Sequence, residues 1–223
     1  MSLSQQQKED LRRAIRGYDF PAEYFDFIKG IGGRLANTAE VERKIRADLT
    51  SGEPERVKDG LSNVLYWGHA TVPYRNVRVE NFRTKVTNNQ LQAACRLFQL
   101  DQRPSVLQIS KLRLPEFSGL SFVSKVRMFL DPYTSAVLDK QLLKMRNATF
   151  ETVLSGVSFG ENETQIRITQ QNAKGYEDWC ERMAEISRQY FAGESRAVDI
   201  ERGFFYLVQN AQIKYAAQIL SDA

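Results

Sequence analysis

Apolar residues recur along this chain mostly at helical spacing, and capping residues mark where each run starts and stops. Leu11 and Ile15 lie on one face of a polar first helix that Gly17 ends. Thr38 caps a second helix, in which Val41, Ile45 and Leu49 recur every fourth residue, and the loop from Thr50 to Pro54 resets the chain. Val57, Leu61, Val64 and Leu65 build a third helix that runs into Tyr66-Trp67-Gly68-His69. Thr87 is placed to cap Asn88 to Leu100, where Leu91, Ala94, Cys95 and Phe98 form one stripe, and Pro104 precedes a short apolar segment, Val106 to Ile109. The run Lys29-Gly30-Ile31-Gly32-Gly33-Arg34 follows no strand pattern and lacks the Gly-Lys-Ser/Thr ending of a nucleotide loop. It reads as a helix C-terminal stop.

Beyond residue 150 the period changes briefly. Val157, Phe159, Ile166 and Ile168 alternate on either side of Gly160-Glu161-Asn162, which predicts a small β-hairpin within 154–168. Trp179, Met183, Ile186 and Tyr190 then form a core-facing helical stripe. Val198 to Val208 is apolar around most of its circumference, as a buried helix requires, and Ile213 to Leu220 makes a last helix. The predicted fold is mostly α, a single helical domain of two lobes over residues 1–223 with one small hairpin.

Composition narrows the class. At 223 residues, with 42% apolar and 26% charged, the chain is an ordinary globular one, which excludes disorder and collagen-like repeats. No apolar run approaches the ~20 residues of a bilayer span, and Met1 to Arg16 has no apolar signal core. Cys95 and Cys180 each sit inside an apolar pattern, as buried thiols of a cytoplasmic protein do. One histidine and two cysteines leave too few ligands for a Cys/His zinc site, and no metal or other cofactor is expected. The net charge of +4 is uneven: residues 51–110 carry +3 and residues 111–150 carry +4, whereas the last 73 carry −4. A basic middle suits an anionic partner such as a phosphate backbone, with solvated helix faces as the plain alternative.

The most informative segment is 112–145. Leu114-Pro115 leads into Glu116-Phe117-Ser118-Gly119-Leu120-Ser121, a turn rich in small residues. A helix follows with Phe122, Val126 and Phe129 on one face and Ser121 with Lys125 on another. Asp131-Pro132 breaks it, and Val137-Leu138 delivers Asp139 at the head of a new helix through Leu142, Leu143 and Met145. Such a turn binds phosphate through backbone N–H groups at a helix N-terminus. Ser118, Gly119 and Leu120 would supply the amides, with Lys111, Arg113 and Lys140 adding flanking charge. Tyr66, Trp67 and His69 have the chemistry to stack on a base, and equally the size to pack a core.

This arrangement resembles the helix-hairpin-helix DNA glycosylases, in particular the 8-oxoguanine DNA glycosylase branch. That family places a Leu-Pro-Gly-Val-Gly-x-Lys hairpin before a helix, and an apolar-Asp signature at the head of the next one. Leu114-Pro115 matches the hairpin entry, Gly119 its glycine and Val137-Leu138-Asp139 the second signature, while Gly119 to Lys125 is similar to a bacterial subgroup of that fold. The resemblance implies double-stranded DNA as partner and excision of a damaged base by hydrolysis of its N-glycosidic bond. Asp139 is then the carboxylate that stabilises positive charge developing on the sugar, with its plain alternative a helix N-cap.

Two departures bear on mechanism. The family's nucleophilic lysine precedes its aspartate by ~18 residues, about five helical turns, and here that position is Ser121. Lys125 stands one turn later, 14 residues before Asp139. It becomes an assistant in catalysis, or else an ion-paired or snorkelling side chain. Glu116 and Phe117 also stand where a compact glycine turn is expected. A Schiff base needs an amine at the sugar carbon, so strand cleavage is expected to be weak or absent. The rival functions are a catalytically silent DNA-binding module of the same fold and a helical protein-interaction domain whose basic middle meets an acidic partner.

Overall fold

A computed structural model describes residues 2–101, 103–160 and 162–223. The chain is mostly helical, with one two-stranded antiparallel sheet among the described residues. It divides into two compact units, one formed by Met1–Asp19 with Pro132–Ala223 and the other by Phe20–Asp131. No helix among the described residues is long and apolar enough to cross a membrane.

In the discontinuous unit, helix α1 (Gln5–Gly17) starts at a capping box between Ser4 and Gln7 and buries Leu11 and Ala14. It packs on the helix Ala197–Gln209, the apolar segment read from the sequence as a buried helix. The long helix Gln170–Phe191 buries Trp179, Met183 and Ile186 of its predicted stripe, and Ile213–Asp222 closes the chain. The backbone leading to Asp139 is pinned by the long helix: Tyr176 Oη donates to Ala136 O at 2.9 Å, and Trp179 Nε1 to Val137 O at 2.9 Å. The helix expected after Asp139 is a 3-10 helix, Leu142–Asn147, with Leu142, Leu143 and Met145 buried.

The hairpin expected within 154–168 does not form among the described residues, and Glu161 of its turn lies outside them. Side chains take the backbone groups that a partner strand would have paired. Arg146 donates to Val157 O (2.6 Å) and Phe159 O (3.0 Å), while Asn172 accepts from Ser158 N (2.7 Å) and donates to Ser158 O (2.9 Å). With these donors and acceptors satisfied in place, strand pairing offers nothing further. Val153–Gly156 forms a 3-10 helix against the long helix instead.

The continuous unit holds the sheet, β1 (Glu23–Asp26) and β2 (Ile31–Arg34), followed by α2 (Thr38–Leu49), α3 (Pro54–Gly68), α4 (Arg75–Lys85), α5 (Asn88–Leu100), α6 (Val106–Lys111) and α7 (Leu120–Leu130). The glycine run is therefore a hairpin strand rather than a helix stop. Asp26 Oδ1 accepts from Ile28 N and Lys29 N, Gly30 takes φ 68°, and Phe25 pairs with Gly32. Alongside it, Tyr24, Phe25 and Phe27 are β-formers that the glycines mask.

Helix α3 is the axis of this unit, with every residue from Gly60 to Trp67 buried. Helices α2, α4, α5 and α7 and strand β1 all pack on it. The buried Asn63 is satisfied by the strand: Phe25 N donates to its Oδ1 at 2.8 Å, and its Nδ2 donates to Phe25 O at 3.0 Å and Asp59 O at 3.1 Å. One side chain thus covers an edge of β1 and joins the sheet to the core. Asn63→Ala strands the Phe25 backbone groups and is expected to cost about 2–3 kcal/mol. Denaturant unfolding should report that loss, and hydrogen exchange should report faster opening of β1; an unchanged midpoint would show that the sheet is held otherwise.

Candidate nucleic-acid interface

The turn between α6 and α7 is built by residues distant in sequence. Ser105 and Gln108 cap α6 reciprocally, so the short helix starts cleanly after Pro104. Its chain then turns through Arg113 at φ 51° and Glu116 at φ 67°, a left-handed conformation that a glycine adopts without strain. Glu116 is held there from α4: Arg78 Nη1 donates to its Oε2 at 2.8 Å and Asn81 Nδ2 donates to Oε1. Phe117 is buried and sets its ring edge-on to Phe82 of α4 and Phe122 of α7. On the other side, Gln90 Nε2 of α5 donates to Leu112 O at 3.3 Å and Arg113 O at 2.6 Å. The two departures from the glycine hairpin are thus a charge-assisted latch and an apolar anchor.

Lys111 and Arg113 are exposed, and neither side chain has an ion-pair partner among the described residues. Of the three expected amide donors, Ser118 is exposed, whereas Gly119 and Leu120 are buried. Gly119 is the N-cap of α7 and offers no side chain to its first turn. Lys125 is buried, its Nζ donating to Ser121 O at 3.2 Å and lying 5.0 Å from the Phe122 ring centre.

The aromatic trio at the end of α3 divides. Trp67 is 3% exposed, packed against Phe20 and Phe129, and its Nε1 has no hydrogen-bond partner among the described residues. That is a core position. Tyr66 stacks under the Arg75 guanidinium at 3.9 Å and lines a cavity beside β1. Half-buried His69 lies 4.4 Å from the Phe122 ring, where Gly68 lets α3 approach α7: a Cβ there would sit 2.7 Å from Phe122 Cε1. Gly68, His69, Phe122 and Lys125 are therefore brought together, away from Trp67 packing.

Asp139 and Lys140 belong to the other unit. Asp139 Oδ1 accepts from Gln141 N at 2.9 Å and Leu142 N at 3.1 Å, and no described residue bonds its second carboxylate oxygen. These bonds hold the turn just ahead of the 3-10 helix, whose N-cap is Gln141, and one carboxylate oxygen is left over. Lys140 is exposed, donates to Thr164 O at 3.0 Å and lies over the Phe159 ring. Among the described residues, no group of three or more His, Cys, Asp and Glu side chains is disposed to hold a metal ion. Sequence patterning missed α4, whose Arg78 and Asn81 set the turn, because only Val79 and Phe82 of that helix are buried.

In comparisons with known proteins, the chain matches no family model, no curated protein and no solved structure.

The electrostatics of this corner can be read from its one histidine. Burial, then the positive charges of Lys125 and Arg78, pull the His69 pKa down to about 4, with Glu116 opposing. His69 is neutral at pH 7. An unfolded histidine titrates near ~6.5, so the unfolded chain binds the extra proton first. His69 therefore contributes stability that is present above about pH 6.5 and is lost as pH falls toward 4. Proton NMR should place its midpoint near 4, and a midpoint at 6 or above would mean that the site is open to water.

Proposed function

We propose that the protein binds double-stranded DNA through the α6–turn–α7 face and excises a damaged base from it by hydrolysis of the N-glycosidic bond. The observation that carries the DNA reading is how the turn disposes of its charges. Its anionic group, Glu116, is taken up by Arg78 and Asn81, and the carbonyls of Leu112 and Arg113 are taken up by Gln90. The groups that repel a phosphate are masked, while Lys111 and Arg113 stay exposed beside them. Net positive charge close to an exposed Ser118 favours a phosphate backbone over an acidic protein surface, because phosphates repeat at fixed spacing along a duplex.

The chemistry rests on the resemblance and on Asp139. A carboxylate near the sugar stabilises the positive charge that develops as the glycosidic bond breaks, and it can orient the attacking water. Asp139 has an oxygen available for this while the other caps the chain. The target base must leave the stack before either can happen. Lys125 is buried with its Nζ donating to Ser121 O, so the amine is held on its own helix and not extended toward a sugar carbon. It acts as a positioning charge, and excision proceeds without a Schiff base.

Two measurements test this. Changing Lys111 and Arg113 together to Ala should weaken duplex binding across sequences and lower the slope of log K against log salt by about 1 for each phosphate that is no longer neutralised. Salt-insensitive binding, or none at low salt, would end the DNA reading. On duplexes carrying a panel of damaged bases, Asp139→Asn should lose excision by ~100-fold or more. It should keep its melting temperature, since Asn offers the same acceptor to the two amides. Borohydride should trap no covalent complex in either protein. Excision that survives in the Asn variant removes Asp139 from catalysis, and salt-dependent binding without excision of any lesion leaves the silent DNA-binding module.

A further inference from the structure

Strand β1 with the following Phe27, helix α3 and helix α4 line an open cavity of about 280 Å³. Phe25, Phe27 and Tyr66 form its aromatic side, and Asn76, Glu80 and Arg83 its polar side. We propose that this cavity binds a flat heterocycle of nucleobase size that carries an amino group, packed against the Phe25 ring and hydrogen-bonded by Glu80. The site includes neither Asp139 nor Lys125 nor the α6–α7 turn, so it stands apart from excision and from duplex docking.

Size is the first constraint. Small-molecule sites begin at roughly 300 Å³, so a single flat ring system fits here and an extended ligand does not. Phe25 belongs to a packed aromatic cluster, 4.7 Å from Phe27 and 5.4 Å from Tyr66 between ring centres. Contact with an aromatic ring accepts any base. Selectivity must come from the polar groups.

Charge then narrows the ligand. Arg75 already lies over Tyr66 at 3.9 Å and Arg83 over Phe27 at 4.0 Å, so those two ring faces are taken, Phe25 is the ring left to a ligand, and a cationic ligand meets two guanidinium groups beside it. Arg83 is itself committed to Asp59 (2.7 Å) and Ser62 (3.0 Å). An anion meets the carboxylate of Glu80. What remains is neutral. Glu80 and Asn76 are exposed, and their side chains have no hydrogen bond or ion pair with any described residue. A carboxylate only accepts, so the ligand must present N–H donors to Glu80. The exocyclic amines of adenine, cytosine and guanine do so, whereas thymine sets carbonyls on both sides of its single ring N–H. The base can come from a free nucleoside or from an unstacked strand.

Calorimetric titration of the full chain with adenosine, cytidine, guanosine and thymidine, and with oligo-dC and oligo-dT, tests the assignment. The amino-bearing ligands should bind about tenfold more tightly than their thymine counterparts, and Glu80→Ala, which removes the acceptor, should abolish most of that difference. Glu80 is exposed, so the substitution does not threaten folding. A preference seen with oligonucleotides alone names the strand as the source, and one seen with nucleosides as well names the free ligand. Equal binding of thymidine, binding of tetramethylammonium in place of a base, no binding at all, or an unaltered preference in Glu80→Ala would each overturn the proposal. No duplex enters the readout, so this result and that of the duplex reading are independent.

Discussion

Helix α3 lacks a water-facing side from Gly60 to Trp67, and the continuous unit is arranged around that constraint. A helix buried all round must satisfy its polar side chains internally and must find partners on every face. Ser62 and Asn63 meet that demand, whereas the Trp67 Nε1 has no partner among the described residues. Ser62 donates back to Lys58 O and accepts from Arg83, while Asn63 takes up the backbone of β1. The remaining faces are closed by α2, α4, α5 and α7. Every feature of functional interest in this unit, the α6–α7 turn, the His69 corner and the aromatic cavity, is positioned by an element seated on that helix.

Helix α4 shows how the arrangement is transmitted outward. It is polar along most of its length, and its outward reach is ionic: Arg75 pairs with Glu23 of β1, and Arg78 with Glu116 of the turn. Exposed ion pairs contribute little, but the Glu116 carboxylate is largely enclosed, with 10% of its side chain accessible. Leaving that anion without its donors would be expensive. The left-handed backbone at Glu116 is therefore retained by the same contact that neutralises its charge.

Much of this architecture is visible in the residue pattern, for reasons that also explain what is not. Val41, Ile45 and Leu49 mark α2, and Leu91, Ala94, Cys95 and Phe98 mark α5, because each set needs one buried face. The region 154–168 alternates like a strand, yet Arg146 and Asn172 satisfy its backbone from outside, and no local window contains that competition. The real sheet is hidden by Gly32 and Gly33, whose lack of side chains reads as a break; at Gly32 that lack is what admits the Tyr66 hydroxyl, since a Cβ would sit 2.5 Å from it. Of the candidate residues, Lys111, Arg113 and Asp139 can be selected from their neighbours in sequence. Gln90, Arg78 and Asn81 cannot, because their role depends on helices packing across the unit. Tyr66 and Trp67 cannot be told apart either, being adjacent residues on a helix buried on all sides.

The division of the chain into units has a consequence for synthesis. Helix α1 is made before the continuous unit, but the helix that covers its Leu11 and Ala14 face, Ala197–Gln209, is made after it. At ~5–20 residues per second, that partner arrives on the order of 10–40 s later. Once Asp131 has been made, the continuous unit has all of its own segments and can complete its core, while the amphipathic α1 waits with its apolar side uncovered. Helix α1 is therefore made before the continuous unit and covered after it. Any factor that shelters nascent apolar surface would meet this protein at α1.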